Sequence, residues 1–209
     1  SSVAYIYGFL PTDFGRVSDA MMESATDNSV YTWENNSIYY ITNGIWSPLK
    51  RVDDGWGFWD GVRSANLFLE NFDPKVLERF QYNEDYDEMI DKASKFSLEV
   101  RFLRAIYSFE LAKRYGDIPL ITRTYTQEEI NSVRKTSFAD VIDFIAKECT
   151  EITREGGLPE DGVRGETGRV TKGAALALKS RALLYAASDL HNPAHDLTKW
   201  EAAAKAAYE

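Results

Sequence analysis

Trp33 is followed directly by Glu34, Asn35 and Asn36, and Tyr31, Tyr39, Tyr40 and Trp46 stand close to it in the chain. This combination has a defined chemical use. The C–H face of a pyranose ring is apolar and stacks on a flat indole or phenol, while amide and carboxylate side chains take up the hydroxyls at the ring edge. Tyr31, Trp33, Asn35, Asn36, Tyr39 and Tyr40 are therefore the candidate ligand contacts. Trp46, Trp56 and Trp59 are expected instead to pin this segment onto neighbouring helices, a task that also uses large rings.

The other reactive residue types form no catalytic or metal-binding pattern. His191 and His195 have the i, i+4 spacing that puts two imidazoles on one helical face, but Pro193 between them breaks such a helix and no third ligand stands nearby. Gly165, Glu166, Thr167 and Gly168 ahead of Thr171, Lys172 and Gly173 lack the order of a phosphate-cradling loop, and helix capping accounts for them. Carboxylates pair as Asp53 with Asp54, Glu84 with Asp85, Asp87 with Glu88, Glu128 with Glu129, and Glu148 with Glu151. A glycosidase needs two of them about 5 to 10 Å apart in unlike surroundings. These pairs lie in polar stretches and read as solvated faces. The expectation is a protein with no catalytic residues, no metal and no cofactor.

Composition narrows the partners. The 209 residues are 44% apolar and 27% charged, enough for one well-buried domain. A net charge of -9 without a run of Lys and Arg repels phosphate backbones, so nucleic acid is excluded as a partner. The single cysteine, Cys149, lies on an apolar helical stripe and reads as a packed thiol. No window is long and apolar enough for a membrane span.

These residues need a scaffold, and the patterning makes it helical. Phe96, Val100, Leu103, Tyr107 and Leu111 form one apolar stripe and Phe102, Ile106 and Phe109 an adjacent one, predicting a helix from about Asp85 to Tyr115 that is buried on two sides. Arg101, Arg104, Glu110, Lys113 and Arg114 take the remaining positions, and Gly116 with Pro119 marks the stop. Ser1 to Leu10 reads as the tail of a helix, and Pro11 to Gly55 as one long irregular loop with turns at Asn43-Gly44 and Asp54-Gly55. A helix follows from Trp56, carrying Trp59, Val62, Ala65, Asn66 and Leu69; Asp73-Pro74 opens a short turn to Phe80; and Pro119 to Ile130 is extended. Ser137 and Asp140 open a helix with Phe138, Val141, Ile142, Ile145, Cys149 and Ile152 inside. Thr171 caps the next, which Pro193 closes, and Thr198 with Glu201 opens the last. Similar sequences around Arg104 and Arg181 suggest a helical repeat.

Two blocks carry a family resemblance. EVRFLRAIYSFELAKRYGDIPLIT, from Glu99 to Thr122, and GRVTKGAALALKSRALLYAASDLHNP, from Gly168 to Pro193, resemble in sequence, order and spacing those of the SusD/RagB family of outer-membrane glycan-binding lipoproteins. Weaker matches lie at Ala25 to Ser29 and Trp56 to Asp73. The resemblance implies an all-α, tetratricopeptide-like helical superhelix with a long irregular loop region. It also implies a non-enzymatic, surface-exposed outer-membrane lipoprotein that passes glycans to a SusC-like TonB-dependent transporter. Its lipid anchor is expected upstream of this chain, and a carboxy-terminal part beyond it. On this reading 1–209 is the amino-terminal part of one SusD-like domain, with helix end and aromatic loop in 1–55 and helical repeats in 56–209. A tetratricopeptide-type module binding a peptide or partner subunit is the alternative.

Overall fold

The computed structural model describes residues 2–11, 16–17, 20–53, 55–160 and 167–209. Its helices are α1 (Ser2–Tyr7), α2 (Tyr39–Thr42), α3 (Phe58–Asn71), α4 (Tyr86–Tyr115), α5 (Gln127–Ile130), α6 (Phe138–Ile152), α7 (Lys172–Ala187) and α8 (Leu197–Tyr208). Among the described residues the sole sheet is an antiparallel pair of two-residue strands, β1 (Arg16–Val17) and β2 (Ala20–Met21). The expected all-α class is observed. The chain forms two compact units, one of Leu10–Trp56 and one of Ser1–Phe9 with Gly57–Glu209.

The larger unit is built on α4. Val100, Leu103, Tyr107, Phe109 and Leu111 are fully buried, as the double stripe requires. On one side lies α3, with Gly61 against Tyr107, Asn66 bonded to Arg104, and Phe72 6.1 Å from Phe96. On the other lies α6, where Glu148 meets both Arg101 and Arg104, while Lys95 reaches the Gly156 carbonyl just beyond that helix. Numbers rise on one helix as they fall on its neighbour, so the helices run antiparallel. Packing continues from α6 to α7 and from α7 to α8, and α7 also touches α4 where Phe109 and Tyr185 meet edge to face at 5.2 Å. Stacked antiparallel helices of this kind are the tetratricopeptide-like arrangement.

Local signals set most boundaries. Asp73 Oδ1 accepts from Lys75 N at 2.9 Å to start the 3-10 turn Pro74–Phe80, Ser137 caps α6 and Thr171 caps α7. Gly116 takes φ +68 immediately past α4, and its N–H closes the last turn on Ala112 O at 2.8 Å. Three boundaries differ from expectation. A capping box of Thr126 and Glu129 nucleates the short α5 inside the presumed loop. Helix α7 stops at Ala187, well before Pro193, and buried Asn192 then organises the connection by donating to Asp196 O at 3.0 Å and accepting from Asp196 N at 2.9 Å. Asp196 rather than Thr198 caps α8, because its carboxylate accepts from Thr198 N at 2.9 Å.

The largest departure is buried charge. Glu99, Arg104, Glu110 and Glu148 are all buried, although Arg104 and Glu110 were expected on a polar face and Glu148 on a solvated one. Glu148 accepts from Arg101 Nη2 at 2.7 Å and Arg104 Nη2 at 3.1 Å, and Arg104 also donates to Asn66 Oδ1 and Thr122 O. Glu99 accepts from the Tyr7 hydroxyl at 2.5 Å and from Arg169 Nη2 at 2.6 Å, while the Tyr7 oxygen accepts from Val170 N at 3.0 Å. Burial, then Glu99, push the Tyr7 phenol upward, so it stays protonated and donating. These bonds tie α1 and the approach to α7 onto α4.

Cys149 is fully buried, and burial pushes its thiol up to about 12. Iodoacetamide at pH 8 is therefore expected to leave the folded chain unmodified and to label it fully in denaturant. Mass spectrometry reads this directly, and labelling of the folded chain would contradict the packing.

Candidate functional site

The segment that sequence reads as a loop is a small folded unit. Val17, Ala20 and Ile38 form its core, with Ala25, Tyr31, Tyr39, Ile41 and Val52 packed around them. Asn36 Oδ1 accepts from Ile38 N at 2.9 Å, which sets up the turn leading into α2. After α2 the chain reverses at Gly44 with φ +64, and both Ile45 N and Trp46 N donate to Tyr40 O, at 3.0 and 2.8 Å. The rings are thus mounted on a hydrogen-bonded frame.

The six predicted contacts divide into two kinds. Trp33 is 73% exposed, and Asn35 beside it is also exposed. Tyr31, Asn36, Tyr39 and Tyr40 are half-buried. The Tyr39 hydroxyl donates to Tyr31 O, and the Asn36 carboxamide oxygen serves the backbone, so both support the frame. Tyr31 and Trp33 rings stand 6.5 Å apart at 58°, which buttresses the exposed indole from one side. Tyr40 carries the Lys50 ammonium 5.6 Å from its ring centre. What the surface can do chemically rests on Trp33: a supported, solvent-facing ring with neutral amides next to it.

Trp46 and Trp56 overturn their expectation as anchors, being 59% and 60% exposed, whereas Trp59 at the start of α3 is half-buried. The turn at Asp54-Gly55 and the Gly165 to Gly168 stretch lie in part outside the described residues. His191 and His195 share no helix. His191 stacks on Phe138 at 3.6 Å, and burial, then the nearby Lys199, hold its imidazole below the usual value. His195 sits at φ +51 with Nδ1 3.7 Å from Asp189 Oδ1. Among the described residues no group of three or more His, Cys, Asp or Glu is placed to hold a metal.

No protein-family model and no curated protein matches the chain, whereas solved structures do. A SusD-like protein from Bacteroides fragilis NCTC 9343 matches 88% of this chain at 30% identity and a TM-score of 0.67. The chain is SusD-like. A second structure from that organism, described as a SusD-like carbohydrate-binding protein, covers 98% of the chain at 26% identity and a TM-score of 0.69. A laminarin-binding SusD-like protein covers 76% at 27% identity and a TM-score of 0.57. The SusD-like chain spans about a third of each, at 33%, 38% and 32% of their lengths. Trp33 lies in the smaller unit, Leu10–Trp56, and among the described residues no helix is long and apolar enough to cross a membrane.

Proposed function

We propose that this chain is part of a non-enzymatic, cell-surface glycan-binding protein of the outer membrane, which holds an oligosaccharide on the Trp33 surface and delivers it to a TonB-dependent transporter. The single observation that carries the reading is the 73% exposure of Trp33 beside exposed Asn35. An indole left in water on a folded frame has a large apolar face to offer, and a pyranose covers that face while neighbouring amides meet its hydroxyls. The carbohydrate-binding and laminarin-binding descriptions of two similar structures support the same ligand class. Three of the four exposed indoles, Trp33, Trp46 and Trp56, belong to the small unit and one, Trp200, to α8, a distribution that favours a sugar surface over a peptide groove.

Calorimetric titration with a panel of glycans, laminarin included, tests it. The chain is expected to bind at least one, and Trp33→Ala to weaken that affinity about tenfold, the equivalent of roughly 1.4 kcal/mol from one lost stacking face. Unchanged affinity in the variant would remove the site, and binding to no glycan would remove the function.

A further inference from the structure

Between Val17 and Leu49 the chain has no Lys, Arg or His, yet it has Asp19, Glu23, Asp27 and Glu34. Trp33 lies inside this stretch. Its immediate neighbours Thr32 and Glu34 are exposed, and the next polar groups in the chain are the uncharged amides of Asn35 and Asn36. The first cation beyond the stretch, Lys50, holds its ammonium over the Tyr40 ring. Carboxylate and sulfate groups on a sugar polymer call for guanidinium forks or ammonium groups, because an anion that gives up water needs charged donors in return. From Val17 to Leu49 the charged groups the chain supplies are carboxylates.

We propose that the Trp33 surface takes uncharged saccharides and discriminates against polyanionic ones, with Glu34 setting the preference. This rests on the glycan-binding reading and narrows its substrate class. Consecutive Cα atoms are about 3.8 Å apart, so Glu34 is the ionisable residue nearest to Trp33 along the chain, and its charge acts over a screening length of about 8 Å at physiological salt. Like charge at that range costs affinity for a uronate or sulfate and leaves a neutral hexose untouched.

The experiment titrates the chain with neutral glucans, mannans and xylans, and with polygalacturonate and chondroitin sulfate, at low and high salt. At least one neutral polymer binds with little salt dependence, and the polyanions bind about tenfold or more weakly at low salt, a penalty that shrinks as salt rises. Glu34→Lys, a change at an exposed position, raises the ratio of polyanion to neutral affinity by about tenfold at low salt. A polyanion bound more tightly than every neutral glycan, or a ratio that Glu34→Lys does not move, overturns this inference and leaves glycan binding standing. Binding to none of the polymers overturns both.

Discussion

Replacing Glu148 with alanine is expected to lower stability by about 3 to 5 kcal/mol, the range for stripping one partner from a buried ion pair. Glu148 and Arg104 are each 8% exposed, and Glu148 is the carboxylate that Arg104 pairs with. Arg101 has Glu151 at 3.1 Å as a second partner, but Arg104 would keep only the neutral oxygens of Asn66 and Thr122. Its Nε already lacks a hydrogen-bond partner among the described residues, so the site has no spare capacity. Urea unfolding reads the loss, and a midpoint within error of the parent would contradict it.

The same residue gives a pH dependence with a definite sign. Burial raises the Glu148 carboxyl, but hydrogen bonds and charge from Arg101, then Arg104, outweigh it and hold the group below its ordinary value. A carboxyl depressed in the folded state contributes stability that is fully present above its unfolded pKa of about 4.3 and is lost as pH falls through the folded value. The stability gap between the parent and Glu148→Gln is therefore widest near neutrality and closes in acid. A gap that widened below pH 4 would reverse the assignment.

Gly61→Ala is the second large effect, about 2 kcal/mol of destabilisation from overpacking. Alanine for glycine inside a helix ordinarily gains up to about 1 kcal/mol, so the sign itself is diagnostic. A Cβ at Gly61 would stand 2.7 and 2.8 Å from two carbons of the Tyr107 ring. That ring is fully buried, lies against Phe58 at 5.9 Å and 18°, and its hydroxyl donates to Ile6 O at 2.5 Å. It cannot swing aside without breaking these contacts, so α3 must move off α4. Thermal unfolding should fall by about 4 to 8 °C. Gly173→Ala, whose Cβ would meet nothing nearer than 3.9 Å, is the control and should not destabilise. Equal behaviour of the two variants would contradict the close approach.

The helical frame was legible in sequence because each long helix carries its own period and stop. The α6 stripe from Phe138 to Ile152 is buried in full, and Ser137 and Thr171 cap where their spacing says. Buried charge was not legible, for a physical reason. A charged residue inside an apolar stripe reads as a solvent edge unless its partner is known, and Glu148 lies 44 residues from Arg104 and Glu99 lies 70 from Arg169. Tandem arginines at Arg101 and Arg104 on a doubly apolar helix were the available signal.

At the candidate site, the residue types were readable and their division of labour was not. Sequence cannot tell that the Tyr39 hydroxyl turns inward to Tyr31 O, or that Asn36 serves the turn before α2, because both depend on how the chain folds back over Val17 and Ala20. Nor does it separate Trp59, half-buried in α3, from Trp46 and Trp56, which face water. Only solvent exposure distinguishes them, and Trp33, the most exposed of the indoles, is the contact we propose.

The five tryptophans give five indole N–H signals in a heteronuclear NMR spectrum, assignable one by one through Trp→Phe variants. On titration with a glycan that the chain binds, the account predicts that the Trp33 signal shifts in step with saturation, and that the half-buried Trp59 signal stays in place. A Trp33 signal that does not move while the glycan saturates the protein would contradict the account.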